Sequence, residues 1–290
     1  MQAWTADAIL AVGWALAPLL MFGFAGSEVV HACQKLPLAL RLILPAAFGV
    51  PYALIASASV HGNWLVLYLG LPILIAILLW RAQQADPQQL GNWRDFIILL
   101  LLGLAVDLRW FEAAWPANLR VINKLILLDS GLYGFLVVRQ LNNVGFDLRI
   151  RLHDVKIGLR ELLFYAPIAV PLGLWLGFLH FRAYLPQLGA AAATWVITFF
   201  AIAVPEEIYF RGWIQNLLER RLGRRTALVI TAVIFGLAHF NRRGVQFNWR
   251  YVLLAAIAGI FYGRAWRERQ RVAASAITHS CVDAIWSLWL

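Results

Sequence analysis

Ten apolar runs divide this chain, most of them long enough to cross a hydrocarbon layer about 30 Å thick. They fall near Ala8–Ala25, Leu38–Val60, Trp64–Trp80, Phe96–Trp110, Val121–Val138, Leu159–Phe181, Ala190–Leu218, Ala227–Phe240, Tyr251–Gly263 and Val272–Leu290, with short runs among them near Phe96 and Tyr251. A helix satisfies its own backbone in lipid, so runs of this length separated by short polar turns predict an all-α polytopic membrane protein of about ten transmembrane helices. A 62% hydrophobic composition and a mean hydropathy of +0.71 exclude an ordinary soluble domain. The first run lacks a basic segment before it and a small-residue cleavage site after it, and is expected to be the first span rather than a signal peptide.

Charge follows the same frame. The formal net charge of +10 invites a nucleic-acid reading, but the basic residues sit in short turns between apolar runs, where the positive-inside rule places them. If all ten runs cross, the turns holding Lys35/Arg41, Arg81/Arg94, Arg139–Arg160, Arg220–Arg225 and Arg264–Arg271 share one side with about 17 of the 25 Lys and Arg. That side is expected to be cytoplasmic, with both termini outside, in a bacterial-type plasma membrane. The lipid bilayer is the expected partner at this point, and no nucleic acid. Several of the 14 tryptophans, Trp4, Trp64, Trp80, Trp93, Trp110, Trp115 and Trp249, lie near run ends and read as an interfacial belt. The two cysteines, Cys33 and Cys281, are far apart and indicate neither a disulfide framework nor a cysteine metal site.

The longest polar connection, Arg139 to Arg160, suggests a first region of residues 1–158 and a second of residues 159–290. In the first, Asp107, Arg109 and Glu112 read as helix-end anchors, and Lys124 with Asp129 as an intramembrane ion pair.

The second region carries the informative polar groups, because a charge in hydrocarbon must be paired or face water. Pro205-Glu206-Glu207-Ile208-Tyr209-Phe210-Arg211-Gly212 precedes a basic turn centred on Gly223, and Phe235-Gly236-Leu237-Ala238-His239 follows it. Glu206 lies about seventeen residues before Gly223 and His239 about sixteen after, so two antiparallel helices would bring carboxylate and imidazole to one height. Glu207 and Arg211, four apart, can pair on one helical face, whereas Glu206 points about 100° away and is left for chemistry. On the last helix His279 and Asp283 share a face, while Cys281 and Ser280 do not. Glu, two His and Asp converging in a dry cavity suit hydrolysis of an acyl bond, with the carboxylate taking a proton from water. The same residue types suit a catalytic zinc site, and the residues alone leave both readings open.

Glu206-Glu207-x-x-x-Arg211, Phe235-x-x-x-His239 and His279-x-x-x-Asp283, with the continuation Phe210-Arg211-Gly212, resemble the three-motif signature of the CPBP family of CAAX-type prenyl endopeptidases and bacteriocin-processing enzymes. The resemblance spans roughly Leu159 to Leu290. It implies an intramembrane endopeptidase with its site inside a helix bundle, and a membrane-associated peptide as its partner. Glu206 and His239 would activate water, His279 and Asp283 would form the oxyanion site, and Glu207, Arg211 and Phe235 would support them. It implies no cofactor in the glutamate-dependent form, and zinc on His239, His279 and Glu206 in the metal form. The third motif often ends in Asn, where this chain has Asp283. A non-catalytic relative that binds or protects against a peptide, and a transporter or proton relay, are the alternatives.

Overall fold

The computed structural model describes residues 5–55, 62–182, 187–240 and 248–289. Trp4, Val60, Asn241 and Leu290 lie outside them. The chain is 83% helical, and no strand occurs among the described residues. Two compact units, Met1–Asn142 and Asn143–Leu290, divide it.

The first unit holds five helical runs: α1 (Ala6–Gln34), α2 (Leu38–Ile55), α3 (Gly62–Ala85), α4 (Trp93–Asp107) and α5 (Ala117–Val138). Thr5 caps α1 by accepting from the Ala8 N–H at 3.2 Å. Ala8, Ala11 and Ala15 recur at helical spacing and bury a small-residue stripe against Tyr52, Tyr68, Trp115 and Ile122. Trp115 is thus a core residue and not part of an interfacial belt: it is 4% exposed and its Nε1–H donates to the Tyr68 hydroxyl at 2.6 Å. The expected Lys124–Asp129 pair does not form. Lys124 lies 3.8 Å from Glu112 instead, since five residues of helix separate Lys124 from Asp129 and set them on different faces. Asp129 is 1% exposed, and its Oδ1 has no hydrogen-bond partner among the described residues. Beyond α5, the fully buried Arg139 binds Asp95 at 2.8 Å and Asp86 at 2.6 Å, and so fastens the α3–α4 turn.

The second unit holds α6 (Leu152–Trp175), α7 (Leu188–Leu222), α8 (Arg224–Leu237), α9 (Trp249–Arg269) and α10 (Val272–Trp289). The predicted hairpin is present: α7 stops at Leu222, Gly223 takes φ +80°, and α8 begins at Arg224. Pro205 has no N–H to give the preceding turn, and α7 widens into π-helical turns at Phe199–Ala203 and Ile208–Gln215 on either side of it. Glycines bring the helices close. A Cβ on Gly259 would stand 3.0 Å from the Ala232 backbone of α8, and one on Gly236 would meet the Val252 carbonyl of α9 at 2.5 Å. At the unit's polar end Arg271 donates to Asp154 at 2.7 and 2.8 Å and to Asp147 at 3.1 Å, tying the α9–α10 turn to the start of α6.

Ten helical runs are present among the described residues, and six of them, α1, α2, α3, α5, α6 and α7, are long and apolar enough to cross a membrane by length and composition. α4 and α8 are short, at 15 and 14 residues. α9 carries Arg250, Arg264, Arg267, Glu268 and Arg269, and α10 carries His279 and Asp283.

Candidate active site

His279 is where the acidic residues of the motifs meet. It projects from α10, 2% exposed, and its Nδ1 lies 2.8 Å from Glu207 Oε1. The other oxygen of Glu207 accepts from Arg211 Nε at 2.9 Å and from the Ser275 hydroxyl. A carboxylate that receives two donors on one oxygen is an acceptor on the other, so His279 Nδ1 carries the proton of that contact. Its Nε2 edge then faces two further carboxylates, Asp283 Oδ2 at 3.5 Å and Glu206 Oε2 at 4.0 Å. Glu206 and Glu207, adjacent on the helical turn between the two π-helical stretches, thus reach opposite edges of one imidazole.

The predicted Glu207–Arg211 pair forms, both side chains fully buried. Arg211 Nη1 and Nη2 have no hydrogen-bond partner among the described residues. The guanidinium instead lies over aromatic faces, 5.2 Å from the centre of Phe235 and 6.0 Å from that of Tyr262, and is stabilised there by the ring quadrupoles. Phe235 explains its place in the second motif: its ring contacts Phe210 at 4.9 Å, His239 at 4.8 Å and His279 at 5.6 Å, and so sets the spacing of the two imidazoles.

His239 lies two residues beyond the end of α8, 5% exposed, with Nδ1 2.8 Å from the Phe235 carbonyl. That contact makes Nδ1 the donor, so Nε2 is the unprotonated ring nitrogen. His239, His279 and Asp283 line a cavity of about 80 Å³ enclosed by α6, α8, α9 and α10, whose remaining wall is mostly aliphatic and aromatic. Cys281 points elsewhere, its sulfur accepting from Trp195 Nε1 at 3.3 Å, and Ser280 bonds its own helix at Ile277.

Nδ1 of each histidine is committed to an acceptor, Glu207 for His279 and the Phe235 carbonyl for His239, an arrangement that metal-ligating histidines share. Among the described residues no group of three His, Cys, Asp or Glu side chains is placed to hold a metal.

Sequence spacing left three features out. Glu207 orients His279 as well as pairing with Arg211; Ser275 bonds Glu207; and Tyr262 stacks on His279, ring centres 4.6 Å apart and planes 16° from parallel. Ser275 lies four residues before His279, on the same helical face, which was the available hint. Tyr262 belongs to no motif, and only packing reveals it.

A bundle of apolar helices that encloses three carboxylates, Glu206, Glu207 and Asp283, and two imidazoles defines a class: an integral membrane protein with a buried polar site. Residues 188–285 match the model of the type II CAAX prenyl endopeptidase Rce1-like family, consistent with the CPBP family that the three motifs resemble. That match spans α7 to α10 and includes every residue of the site. No curated protein and no solved structure matches the chain significantly.

Proposed function

We propose that the second unit is an intramembrane endopeptidase that cleaves a peptide bond in a membrane-associated substrate. Glu206 is the general base. It takes a proton from a water that His239 holds and polarises by accepting its other O–H at the Nε2 lone pair. As that water's oxygen bonds to the substrate carbonyl carbon, the carbonyl oxygen becomes an oxyanion and receives a hydrogen bond from the Nε2–H of His279, which acts as an imidazolium with Nδ1–H on Glu207 and Nε2–H on the side of Asp283. The tetrahedral intermediate collapses, the C–N bond breaks, and the leaving amine takes the proton from Glu206. Asp283 holds the Nε2 edge from its other side.

The observation that carries this reading is the fixed imidazole. With Nδ1 held by Glu207, His279 presents Nε2 toward both Glu206 and the cavity wall. The family description supports a prenylated CAAX tail as the first substrate to try. The apolar cavity suits the residues flanking a scissile bond within lipid.

The test is cleavage of a quenched fluorescent peptide ending in a prenylated cysteine and three further residues, by purified protein in proteoliposomes. Glu206→Gln keeps shape and removes the base, and His239→Ala removes the water-holding imidazole. Both are expected to lose at least about 100-fold in kcat, while purifying as folded protein. Cleavage at wild-type rate by Glu206→Gln sinks the reading. Metal analysis of the same preparation is expected to show no stoichiometric zinc, and zinc that disappears in a His239→Ala/His279→Ala variant overturns the metal-free mechanism.

A further inference from the structure

Three phenols border the cavity: Tyr165 from α6, and Tyr251 and Tyr262 from α9. The acidic group on the same wall, Asp283, accepts hydrogen bonds when ionised and donates none. An oxyanion formed beside it meets repulsion from that side unless another donor is present. A phenol suits the need, because it donates a hydrogen bond without a buried charge.

The three tyrosines are not equivalent. Tyr251 lies against His239, ring centres 4.8 Å apart, and Tyr165 against Phe261 at 5.7 Å. Tyr262 alone stacks face to face on His279. Its depth is set by rigid packing. Gly259 and Gly263 flank it on α9 and press that helix against Ala232 of α8 and Gln215 of α7, and the edge of Phe235 meets its ring at 5.6 Å. Such an arrangement holds a donor in place without reorganisation during reaction.

We propose that Tyr262 is a further catalytic residue, whose phenolic O–H donates to the oxyanion beside His279 and offsets the repulsion of Asp283. The proton stays on Tyr262 throughout; only the hydrogen bond strengthens as the carbonyl π pair moves onto oxygen. This inference rests on the hydrolytic reading above.

The experiment is steady-state kinetics on the same prenylated quenched peptide for wild type, Glu206→Gln, Tyr262→Phe, Tyr165→Phe and Tyr251→Phe, with thermal unfolding of each in detergent. Tyr262→Phe is expected to lose about 100-fold in kcat with KM within threefold, in keeping with removal of one oxyanion donor, and Tyr165→Phe and Tyr251→Phe less than tenfold. An Asp283→Asn background supplies an amide donor at that wall, and there Tyr262→Phe is expected to cost less than tenfold. If Tyr262→Phe alone does not purify folded, the Tyr262→Phe/Asp283→Asn variant is compared with Asp283→Asn, and a loss above tenfold overturns the proposal. So does a Tyr262→Phe kcat within tenfold of wild type, or a larger loss in either other tyrosine variant. Wild-type protein that leaves the probe uncut removes the hydrolytic reading, and this inference with it. Cleavage that depends on Glu206 but not on Tyr262 removes this inference alone.

Discussion

Glu207 and Asp129 are both buried carboxylates in apolar helices, and they predict opposite mutational outcomes. Glu207 accepts from Arg211, Ser275 and His279, so removing its charge strands a buried guanidinium and loosens the imidazole. Glu207→Gln is expected to destabilise the protein by about 3–5 kcal/mol, the usual cost of breaking a buried pair from one side. Thermal unfolding in detergent measures it, and activity should fall with it because His279 loses its orientation. Asp129 has an Oδ1 without a partner among the described residues. Replacing such a group with an apolar one removes a desolvation cost and breaks no bond, so Asp129→Leu is expected to leave the unfolding temperature unchanged or raise it. At this scale the motifs named side chains that the fold gathers around His279, but not which of them touch. The Glu207–Arg211 pair was legible because both residues lie on one helix at i,i+4. The Glu207–His279 bond was not, because it joins helices 72 residues apart in sequence.

Between elements, glycine contacts and one polar clasp decide geometry. Gly259 admits α8 to van der Waals contact with α9 at Ala232. Gly259→Val forces those helices apart at a cost of about 1–3 kcal/mol. Because His239 follows α8 directly and Tyr262 rides on α9, kcat is expected to fall even where the protein stays folded, a separation that kinetics and thermal unfolding together resolve. Arg271 clasps Asp154 at the start of α6 and Asp147 in the connection before it; Asp147 and Arg271 lie outside the spans, and their contact carries a pH dependence. Burial raises the Asp147 carboxyl, but hydrogen bonds from the Arg149 side chain and backbone and from Arg271 outweigh it, holding the group below its ordinary value. A carboxyl depressed in the fold stabilises it above the unfolded pKa and loses that contribution as pH falls through the folded one. The clasp is therefore expected to be intact above about pH 5 and to fail below about pH 4. Asp147→Asn should flatten the acid limb of unfolding temperature against pH, and an unchanged limb assigns the acid sensitivity elsewhere. The α7–α8 hairpin was legible from the Gly223 turn and the residue count on each side. The π-helical turns flanking Glu206 were not, although Pro205 marks where the regular ladder is interrupted.

For the whole molecule, the basic turns provide the testable statement. If the positive-inside rule orients the chain, Gly223 between Arg220 and Arg225 faces the cytoplasm. A cysteine placed there is expected to react with a membrane-impermeant maleimide only after permeabilisation, and labelling of intact cells inverts the topology. The second unit holds every residue of the proposed site. The first unit's buried polar groups, the Tyr68–Trp115 and Arg139–Asp95–Asp86 clusters, fasten its own helices.

Hydrophobic runs and their punctuation determined the helical class, the ten helical segments and the basic turns, because an element in lipid must satisfy its backbone locally. Three spaced motifs determined which side chains to look for at the candidate site. Which apolar helices are long enough to span, how Glu206 and Glu207 divide the two edges of His279, and the presence of Tyr262 beside that ring were decided only by tertiary structure. Those features depend on how close glycines let distant helices approach, and on which faces then meet. No local pattern along the chain records that.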